Sequence, residues 1–424
     1  MATPGIVPRA NGEGSIGTSV KRWDKAYFNE ADIANKVTAG GLATTGDITA
    51  GGKISATSVE GTNAEFDNLK VGSKTIIQSI IESRTNYYAR PDIFKVNKTA
   101  ITIPKDMLIN IGGKGYITQA DVVLQLSSVG NAAARKGRDV YVYACQSSSL
   151  TPIFVLSFNS TVPSGYTADN SRKIGGVHCL CADVGSISGH ALSGYVAGDI
   201  VPNTQWDLLH RAVSANEGMV YVRGQGRWYD LYLAGIVDGV LVSTYNAIIA
   251  DGSSTPAYNG EGFVEALGKI GKRPLWRNEF IVVAKGSNEE TNIKGSTDPN
   301  TTGGHVDINN RRMISDYGLE DCCGVIWQWL GDTNDSYSGN TSWNENNFYL
   351  DGYSWQKKSV YNEAQDSRSY GACIGLLRRV LAGALWGDGS YCGSRASYCS
   401  GFSSDGWSSI GCRGASEPRV VNLS

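Results

Sequence analysis

Two cysteines near the end of this 424-residue chain are the residues best placed to support chemistry. Cys392 and Cys399 lie seven residues apart in a stretch rich in Ser and Tyr, and a close cysteine pair can bind copper or carry out redox reactions. The plain alternative, which we favour, is that two small residues happen to be cysteine. The nine cysteines form no CxxC…CxxC pattern, so we expect mostly reduced, buried thiols and assembly in a reducing compartment.

The histidines give no support for a catalytic site. They show no helical spacing from one another and no neighbouring Ser or Cys nucleophile motif, and we expect structural roles for His178, His190, His210 and His305. No glycine-rich loop both follows a strand-like run and opens a helix, so no nucleotide site is predicted. We therefore expect no catalytic residues.

One segment is rich in side-chain oxygens, which are the ligands that calcium takes from loops. The segment does not have EF-hand spacing, and acidic, Asn-rich loops are more often simply solvated. We therefore expect no cofactor and keep calcium as the alternative. The candidate ligands lie in Gly331 to Asp335 and at Asn340, Asn344, Glu345, Asn346, Asn347 and Asp351.

The composition favours β-structure and loops over long helices, because charged residues are only 18% of the chain and there are 52 glycines. The length predicts two or three structural units. The net charge of −2 gives no reason to expect a nucleic-acid partner. The start, MATPGIVPRANGEG, has no apolar signal-peptide core, and no stretch is long and apolar enough to span a membrane. We expect no export by the signal-peptide route.

The first 90 residues resemble a fibre more than a globular domain. VTAGG at Val37 recurs as ITAGG at Ile48, and the short alternating pieces between residues 1 and 72 bury too little apolar surface to be stable alone. Such a segment is either disordered or stabilised by copies of itself. The repeat favours the second, so we predict an attachment and shaft segment over 1–72 that is stabilised by sister chains. Residues 73–90 are predicted to be a short helical linker that brings the chains together. Its helical face consists of Ile76, Ile77, Ile80 and Ile81, with Ser73 as its cap.

The remainder divides into two patterns. Over 91–205, strand-like alternation at Asp139–Tyr143 and Ile153–Phe158 predicts a β-sandwich. Over 206–424, strands at Met219–Val222 and Trp228–Leu233 are followed by two helices, predicted at 262–269 and 277–284. We expect the chain after Leu330 to be mostly irregular and held by tryptophan packing.

Three stretches carry a resemblance to known families. GSIGTSVKRWDKAYFNEADI, Gly14–Ile33, resembles the attachment and shaft modules of bacteriophage tail fibres. The order of KRPLWRNEF, CGVIWQWL, Trp386, Gly393-Ser394-Arg395 and IGCRG is similar to the C-type-lectin-like fold of the formylglycine-generating-enzyme type. From about residue 91 to its end, including VPSGYT and RKIGG, the chain resembles the tail-fibre receptor-binding proteins of phages that carry a diversity-generating retroelement. The resemblance implies a multidomain protein with a fibrous β-rich shaft, a β-sandwich and a C-terminal α+β C-type-lectin-like domain.

Retroelements of this kind leave a signature in composition. Errors at template adenines turn AAY codons for Asn into NNY codons, which cannot encode Lys, Glu, Gln, Met or Trp. Between Gly387 and Cys412 these residues and Asn are absent, except for Trp407. Trp407 is either a fixed position or a sign of a different register, and a Gly/Ser-rich loop can lack these residues by chance.

The resemblance implies a set of variable, solvent-facing, receptor-binding positions in a region of about 385–410. They are Leu385, Gly387, Gly389, Tyr391, Tyr398, Ser400, Gly401, Asp405, Trp407, Ser408, Ser409 and Ile410. Exposed aromatic rings supply contact area at low entropic cost, so Tyr391, Tyr398 and Trp407 are the expected anchors. The constant scaffold positions are Trp386, Ser394, Arg395, Gly411 and Arg413, with Trp386 in the core and both arginines bonded within the domain.

The function that the resemblance implies is binding. The chain is expected to be a non-enzymatic adhesin at the tip of a virion tail fibre, working as a homotrimer at the host-cell surface. Its expected partners are a surface receptor, either protein or glycan, and other tail or baseplate proteins at the N-terminus. The alternatives are a copper oxidase with Cys392 and Cys399 as ligands, a fibre that degrades capsule polysaccharide, or a ligand-binding protein displayed on a cell.

Overall fold

The computed structural model describes residues 70–71, 74–75, 81–84, 86–336 and 376–419. The predicted shaft therefore lies outside the described residues, apart from Lys70–Val71. Of the predicted helical linker, residues 73, 76–80 and 85 lie outside them too, which includes the predicted cap Ser73 and the face residues Ile76, Ile77 and Ile80. Residues 81–83 of the linker are helical. Lys74–Thr75 pairs with Lys70–Val71 as a strand, and Tyr88–Ala89 is also a strand, so the prediction of a helical linker is wrong at these two places.

The described residues up to 207 form four sheets. One has the order β1-β2, two are three-stranded (β3-β6-β7 and β4-β5-β8), and one is four-stranded (β10-β9-β11-β12). A short helix, α1 (Ala132–Arg135), is capped by Asn131. The strands are β1 (Lys70–Val71), β2 (Lys74–Thr75), β3 (Tyr88–Ala89), β4 (Lys95–Val96), β5 (Ala100–Ile103), β6 (Leu108–Ile111), β7 (Lys114–Ile117), β8 (Val122–Gln125), β9 (Asp139–Cys145), β10 (Ile153–Ser157), β11 (Ser171–His178) and β12 (Trp206–Asp207).

Strand β9 shows why this part folds as it does. Its even-numbered residues from Val140 to Ala144 pack with Phe94, Ile101 and Ile109 in the core of the two three-stranded sheets. Its odd-numbered residues, which the pleat turns to the opposite face, pack with Trp206. The alternation that the sequence predicts is confirmed, and both faces of the strand are buried.

The rest of the described chain forms three sheets, two α-helices and a one-turn 3₁₀ helix over Gly389–Tyr391. The sheet orders are β13-β14-β23-β18, β16-β15-β17 and β21-β20-β19-β22. The elements are β13 (Met219–Val222), β14 (Arg227–Asp230), β15 (Gly235–Val237), β16 (Val240–Val242), β17 (Ile248–Ile249), α2 (Gly260–Lys269), β18 (Arg273–Pro274), α3 (Arg277–Val283), β19 (Trp327–Ser336), β20 (Leu376–Gly383), β21 (Gly393–Gly401), β22 (Ile410–Cys412) and β23 (Gly414–Ser416).

Both predicted helices are confirmed to within a few residues. Helix α2 begins after Asn259, whose side chain accepts a hydrogen bond from the amide of Gly262 at 2.8 Å, as an N-cap does. It buries Phe263 and Leu267, one turn apart on the same face. Helix α3 begins where Glu279 accepts a hydrogen bond from the amide of Trp276 at 2.8 Å.

The prediction of irregular chain after Leu330 is wrong for the described residues. Strand β19 continues to Ser336 and pairs antiparallel with β20 and parallel with β22. Its second half, Gly331-Asp332-Thr333-Asn334-Asp335, has a loop-like composition. Pairing with β20 supplies the backbone hydrogen bonds, and such tertiary pairing overrides weak local β-propensity.

Taken together, the described residues form a β-rich structure with several sheets and few helices, which confirms that part of the predicted fold class. The division into domains stays a prediction. Among the described residues, no helix is both long and apolar enough to cross a membrane.

Candidate functional site

The predicted variable region forms an edge strand and the two loops that flank it. Strand β21 is the outer strand of the sheet β21-β20-β19-β22. Residues 384–392 connect it to β20, and residues 402–409 connect it to β22. An edge strand with loops at both ends presents side chains to solvent without needing them in the core.

The structure exposes some of the twelve predicted variable positions and buries others. Exposed positions are Gly387, Tyr391, Tyr398, Ser400, Trp407 and Ser408. Half-buried positions are Leu385, Gly389, Asp405 and Ser409. Gly401 and Ile410 are buried.

The expectation that all twelve positions face solvent is therefore wrong for two. Ile410 is 2% exposed, packs in a core with Trp329 and Phe263, and pairs with Trp327 in the parallel ladder. Gly401 faces Trp329 so closely that an added Cβ would lie 3.1 Å from the indole ring. These positions support the sheet and offer no side chain to a partner.

The three predicted anchor residues are all exposed. Tyr391 is 83% exposed, Trp407 62% and Tyr398 50%. The Tyr398 ring lies 6.3 Å from the Trp327 ring, at an angle of 51°. Among the described residues the fourth exposed aromatic side chain is Trp276, so the exposed rings are concentrated near this edge of the molecule, as at a binding surface.

The loop before β21 is held mainly through its backbone and two carboxylates. The amide of Leu385 donates to Asp388 Oδ2 at 2.8 Å. At its end, the carbonyl of Cys392 accepts from the amide of Glu290 at 2.8 Å, and Ser394 Oγ donates to Glu289 Oε1 at 2.7 Å. None of these bonds uses the side chain of Tyr391, and Gly387 and Gly389 have no side chain to contribute.

The loop after β21 is fixed in the same way. The carbonyl of Trp407 accepts a hydrogen bond from the amide of Gly252 at 3.1 Å, and that of Ser409 accepts from Trp327 at 3.0 Å. A third bond runs from the amide of Gly260 to the carbonyl of Ser403, at 2.9 Å. A backbone carbonyl is present whatever the side chain, so these bonds survive substitution at residues 407 and 409.

Four of the predicted scaffold residues lie in or against the interior. Arg413 is 1% exposed, and its guanidinium donates to the carbonyls of Asp230 at 3.0 Å, Leu231 at 2.8 Å and Glu320, and to Gln328 Oε1 at 3.2 Å. Gly411 is buried against Ala250. Trp386 is half-buried against a small apolar core, and its carbonyl accepts from Asn292. Ser394 is bonded to Glu289 as described above.

Arg395 differs from the expectation that it bonds within the domain. It lies exposed on β21, and its guanidinium makes no hydrogen bond or ion pair with the described residues. The physical reason is its position on an edge strand, where the side chain reaches water on one side. Arg395 therefore belongs to the exposed surface.

Cys392 does not resemble a copper ligand in this structure. It is buried, and its thiol donates a weak hydrogen bond to the carbonyl of Leu385, with a sulfur–oxygen distance of 3.6 Å. Burial, with a smaller contribution from Asp388, raises the pKa of Cys392 to about 12. A metal ligand must be a thiolate, whereas this environment favours the thiol. Cys399 is exposed on β21.

The histidines have partners that suit structural roles. His178 is buried between Asp139 and Tyr232, with a distance of 2.9 Å to each. His190 is buried against the carbonyl of Ile314. Within the described ranges, no group of three potential metal ligands comes together. Of the calcium candidates, Asn340 and the later residues lie outside the described residues.

Sequence reasoning missed two residues beside the edge strand. Trp276 packs its ring against Gly331 of β19, where an added Cβ would lie 2.8 Å from the ring, yet it is 42% exposed. Arg277 Nε donates to Ser397 Oγ on β21 at 3.0 Å. The only signal in the sequence was the WRNEF motif, which indicated the fold and not exposure.

Comparison with known proteins supports the resemblance. The "Tail fiber receptor-binding protein" of Bordetella phage BPP-1 is 29% identical over 321 residues, which are 69% of this chain and 76% of that protein. Residues 92–207 match the family described as "Mtd second domain".

Solved structures agree with these matches. The Major Tropism Determinant M1 Variant is 26% identical, with a TM-score of 0.62 over 80% of this chain and 87% of that one. The I1 Variant is 25% identical, with a TM-score of 0.62 over 79% and 87%. The predicted resemblance to retroelement-variable phage receptor-binding proteins is confirmed, and the fold is similar to that of the C-type-lectin-like tropism determinants.

Proposed function

We propose that this chain is a receptor-binding protein of a phage tail fibre, which binds the host-cell surface through β21 and its two flanking loops. The observation that supports this most is the contrast within that surface. Its aromatic side chains Tyr391, Tyr398 and Trp407 are exposed, while its loops are held by bonds to backbone atoms and by the carboxylates of Asp388 and Glu289. The relatives of this chain are receptor-binding proteins of the same kind.

The arrangement explains how a binding surface can change without unfolding the protein. Substitution at Trp407 or Ser409 leaves the carbonyl bonds to Gly252 and Trp327 in place. Apart from Trp407, the amino-acid usage between Gly387 and Cys412 fits codons altered at adenines. At the exposed positions, diversification by a retroelement acts on side chains that the fold does not need. Gly401 and Ile410 are buried exceptions, and Asp405 Oδ2 accepts a hydrogen bond from the amide of Phe402 at 3.1 Å.

The proposed contact surface consists of the exposed variable positions together with Trp276. Tyr391, Tyr398 and Trp407 are its anchors, since large rings desolvate well and lose little entropy. Trp276, whose ring packs on Gly331, lies outside the predicted variable positions and is the fourth exposed aromatic side chain among the described residues. Gly401 and Ile410 contribute by holding the sheet.

The assembly proposed with this function is a homotrimer in the virion tail. Residues 1–72 form the attachment and shaft segment that meets other tail or baseplate proteins, and 73–90 the trimerising linker. Residues 91–205 form the sandwich domain and 206–424 the lectin-like domain. Three copies of one weak site give avidity, so a loop of modest affinity still attaches the particle. No catalytic step and no nucleic acid are part of this proposal.

Adsorption of the phage to the bacterium on which it is propagated tests the binding surface. Trp407→Ala and Tyr391→Ala are each expected to slow adsorption about tenfold or more, the loss typical of an aromatic anchor. Ile153→Ala, which trims an exposed apolar side chain on β10, is the matched control and should adsorb normally. Normal adsorption by both aromatic variants would refute the assignment of this surface.

Deep sequencing of the gene from a replicating population tests diversification separately. Substitutions should be confined to codons of residues 385–410 and should coincide with adenines of a nearby template. A region as invariant as the rest of the gene would leave a fibre of fixed specificity.

A further inference from the structure

A polar cleft of ≈ 300 Å³ lies well away in sequence from residues 385–410. It is formed by the chain before β4, the loop before β12, the chain just after β12, and strand β13 with the turn that follows it. The residues on which the inference depends are Arg90, Asn203, Gln205, His210, Tyr221 and Arg223. The proposed receptor-binding surface uses none of them.

The cleft contains one guanidinium whose charge is not neutralised locally. Arg90 is paired with Asp207, whose side chain is fully buried. Arg223 makes no ion pair and no side-chain hydrogen bond with the described residues. The exposed carboxylate of Asp92 also lines the cleft, and it forms no ion pair with Arg223. Arg223 is therefore available to an anion.

The imidazole of His210 in this cleft is uncharged at neutral pH. Burial lowers the pKa of His210 to about 4, and the charges of Arg90 and Arg223 lower it in the same direction. The imidazole is therefore neutral at neutral pH. The group in the cleft that can attract a negatively charged ligand group is therefore Arg223, which has no ion-pair partner among the described residues.

An aromatic ring forms a fixed wall of the same cleft. Tyr221 meets His210 edge to face, with ring centroids 4.7 Å apart, and lies 5.3 Å from Trp228. Its amide donates to the carbonyl of Asn203 at 2.9 Å. The ring is positioned by these contacts and remains half-exposed.

Gln205 supplies an unmet hydrogen-bond acceptor. Its Oε1 is buried and has no hydrogen-bond partner among the described residues. A buried carbonyl oxygen without a donor costs free energy. This oxygen is closed to solvent, so a ligand hydroxyl would reach it once the Gln205 side chain turns into the cleft, and the new hydrogen bond would remove that cost.

We propose that the cleft binds one acidic sugar residue, with its carboxylate on Arg223, a hydroxyl donating to Gln205 and a ring face against Tyr221. The volume lies at the small end of ligand sites and suits a single monosaccharide. The mainly polar lining disfavours a lipid chain. This site is independent of the proposed receptor-binding surface, and its test does not depend on that surface.

The test uses the full chain with ¹³C-labelled histidine and follows the imidazole signals of His210 by NMR. Methyl glucuronide is the probe, methyl glucoside is its neutral match, and acetate supplies the anion alone. We expect a saturable shift of the His210 signals with methyl glucuronide, with a dissociation constant of roughly a millimolar. Methyl glucoside and acetate should produce a much weaker response at the same concentration.

Two variants sharpen the result. Arg223→Gln should weaken the response about tenfold, because a charge-assisted bond to the carboxylate is lost. Arg138→Gln, which removes an exposed guanidinium outside the cleft, should leave the response unchanged. No His210 shift, an equal response to glucoside or to acetate, or an undiminished response in Arg223→Gln would each overturn the proposal.

Discussion

The loops around β21 and the layer around Arg413 are close in sequence and opposite in how they are bonded. In the loop of residues 402–409, the bonds to the rest of the protein come from carbonyls such as those of Trp407 and Ser409. Around Arg413 they come from a buried side chain, which donates to three carbonyls and to Gln328. The first kind of bond is indifferent to amino-acid type and the second requires one.

The difference shows which positions can tolerate substitution. A surface can vary when side chains contribute contact area and the backbone contributes stability. The neighbouring layer must then supply the specific side-chain bonds. Here it does so with the Arg413 bonds and with the Arg312–Glu320 ion pair at 2.7 Å.

The largest expected effect is at Arg413. Arg413→Ala leaves the carbonyls of Asp230, Leu231 and Glu320 buried without their donor, which should cost about 3–5 kcal/mol of unfolding free energy. Urea unfolding measures it. Arg395→Ala removes an exposed arginine on β21 and should change the unfolding free energy by less than about 0.5 kcal/mol. Equal losses in the two variants would remove the contrast.

A smaller effect on unfolding free energy is expected at Gly252, where two backbone segments are in close contact. In Gly252→Ala the new Cβ would lie 1.9 Å from the carbonyl carbon of Gly406, so the loop must move, at about 1–3 kcal/mol. Hydrogen exchange at residues 402–410 should accelerate. Gly268→Ala on α2, where an added Cβ meets nothing within 4 Å, is the control and should keep the exchange pattern.

The buried layer should also respond to pH through His305. Burial opposes the charged imidazole, but the Asp321 carboxylate at 3.0 Å outweighs it and raises the pKa of His305 above 6.5. The folded state therefore binds the proton more tightly than the unfolded state does. The stabilisation of the folded state by protonated His305 beside Asp321 is fully present below about pH 6.5 and is lost as the pH rises through the raised pKa of His305.

Unfolding free energy measured across that window should fall with rising pH in the parent protein and stay flatter in His305→Gln. An unchanged slope in the variant would show that another group titrates. The loops around β21 contain no His, so substitutions there should leave the slope alone.

The smallest effect on stability is expected at Trp407. Its ring is largely exposed and its carbonyl makes the bond to Gly252, so Trp407→Ser should change unfolding free energy by less than about 0.5 kcal/mol. Thermal unfolding checks this. A loss of several kcal/mol would mean that the ring holds the fold.

Local patterns predicted the elements that local physics decides. The alternation at Asp139–Tyr143 and the helices over 262–269 and 277–284 are present. The exposure of Tyr391, Tyr398 and Trp407 also follows the sequence-based expectation, although their role in binding stays a proposal.

The misses share a physical cause, which is contact between distant segments. The polar second half of β19 becomes a strand because β20 pairs with it. Ile410 is buried because it joins a parallel ladder with Trp327, and Arg395 is exposed because β21 is an edge strand. The surface position of Trp276 depends on the packing of its ring against Gly331, which is a contact between distant segments.

The most direct test of the account is a library in which each codon from residue 385 to 413 is randomised separately in the full chain, followed by selection for resistance to proteolysis and sequencing. The account predicts broad tolerance at Gly387, Tyr391, Tyr398, Trp407 and Ser408, and strong restriction at Gly401, Ile410, Gly411 and Arg413. Uniform tolerance, or restriction at the exposed aromatic positions equal to that at Arg413, would contradict the claim that the backbone and the buried layer hold the variable surface.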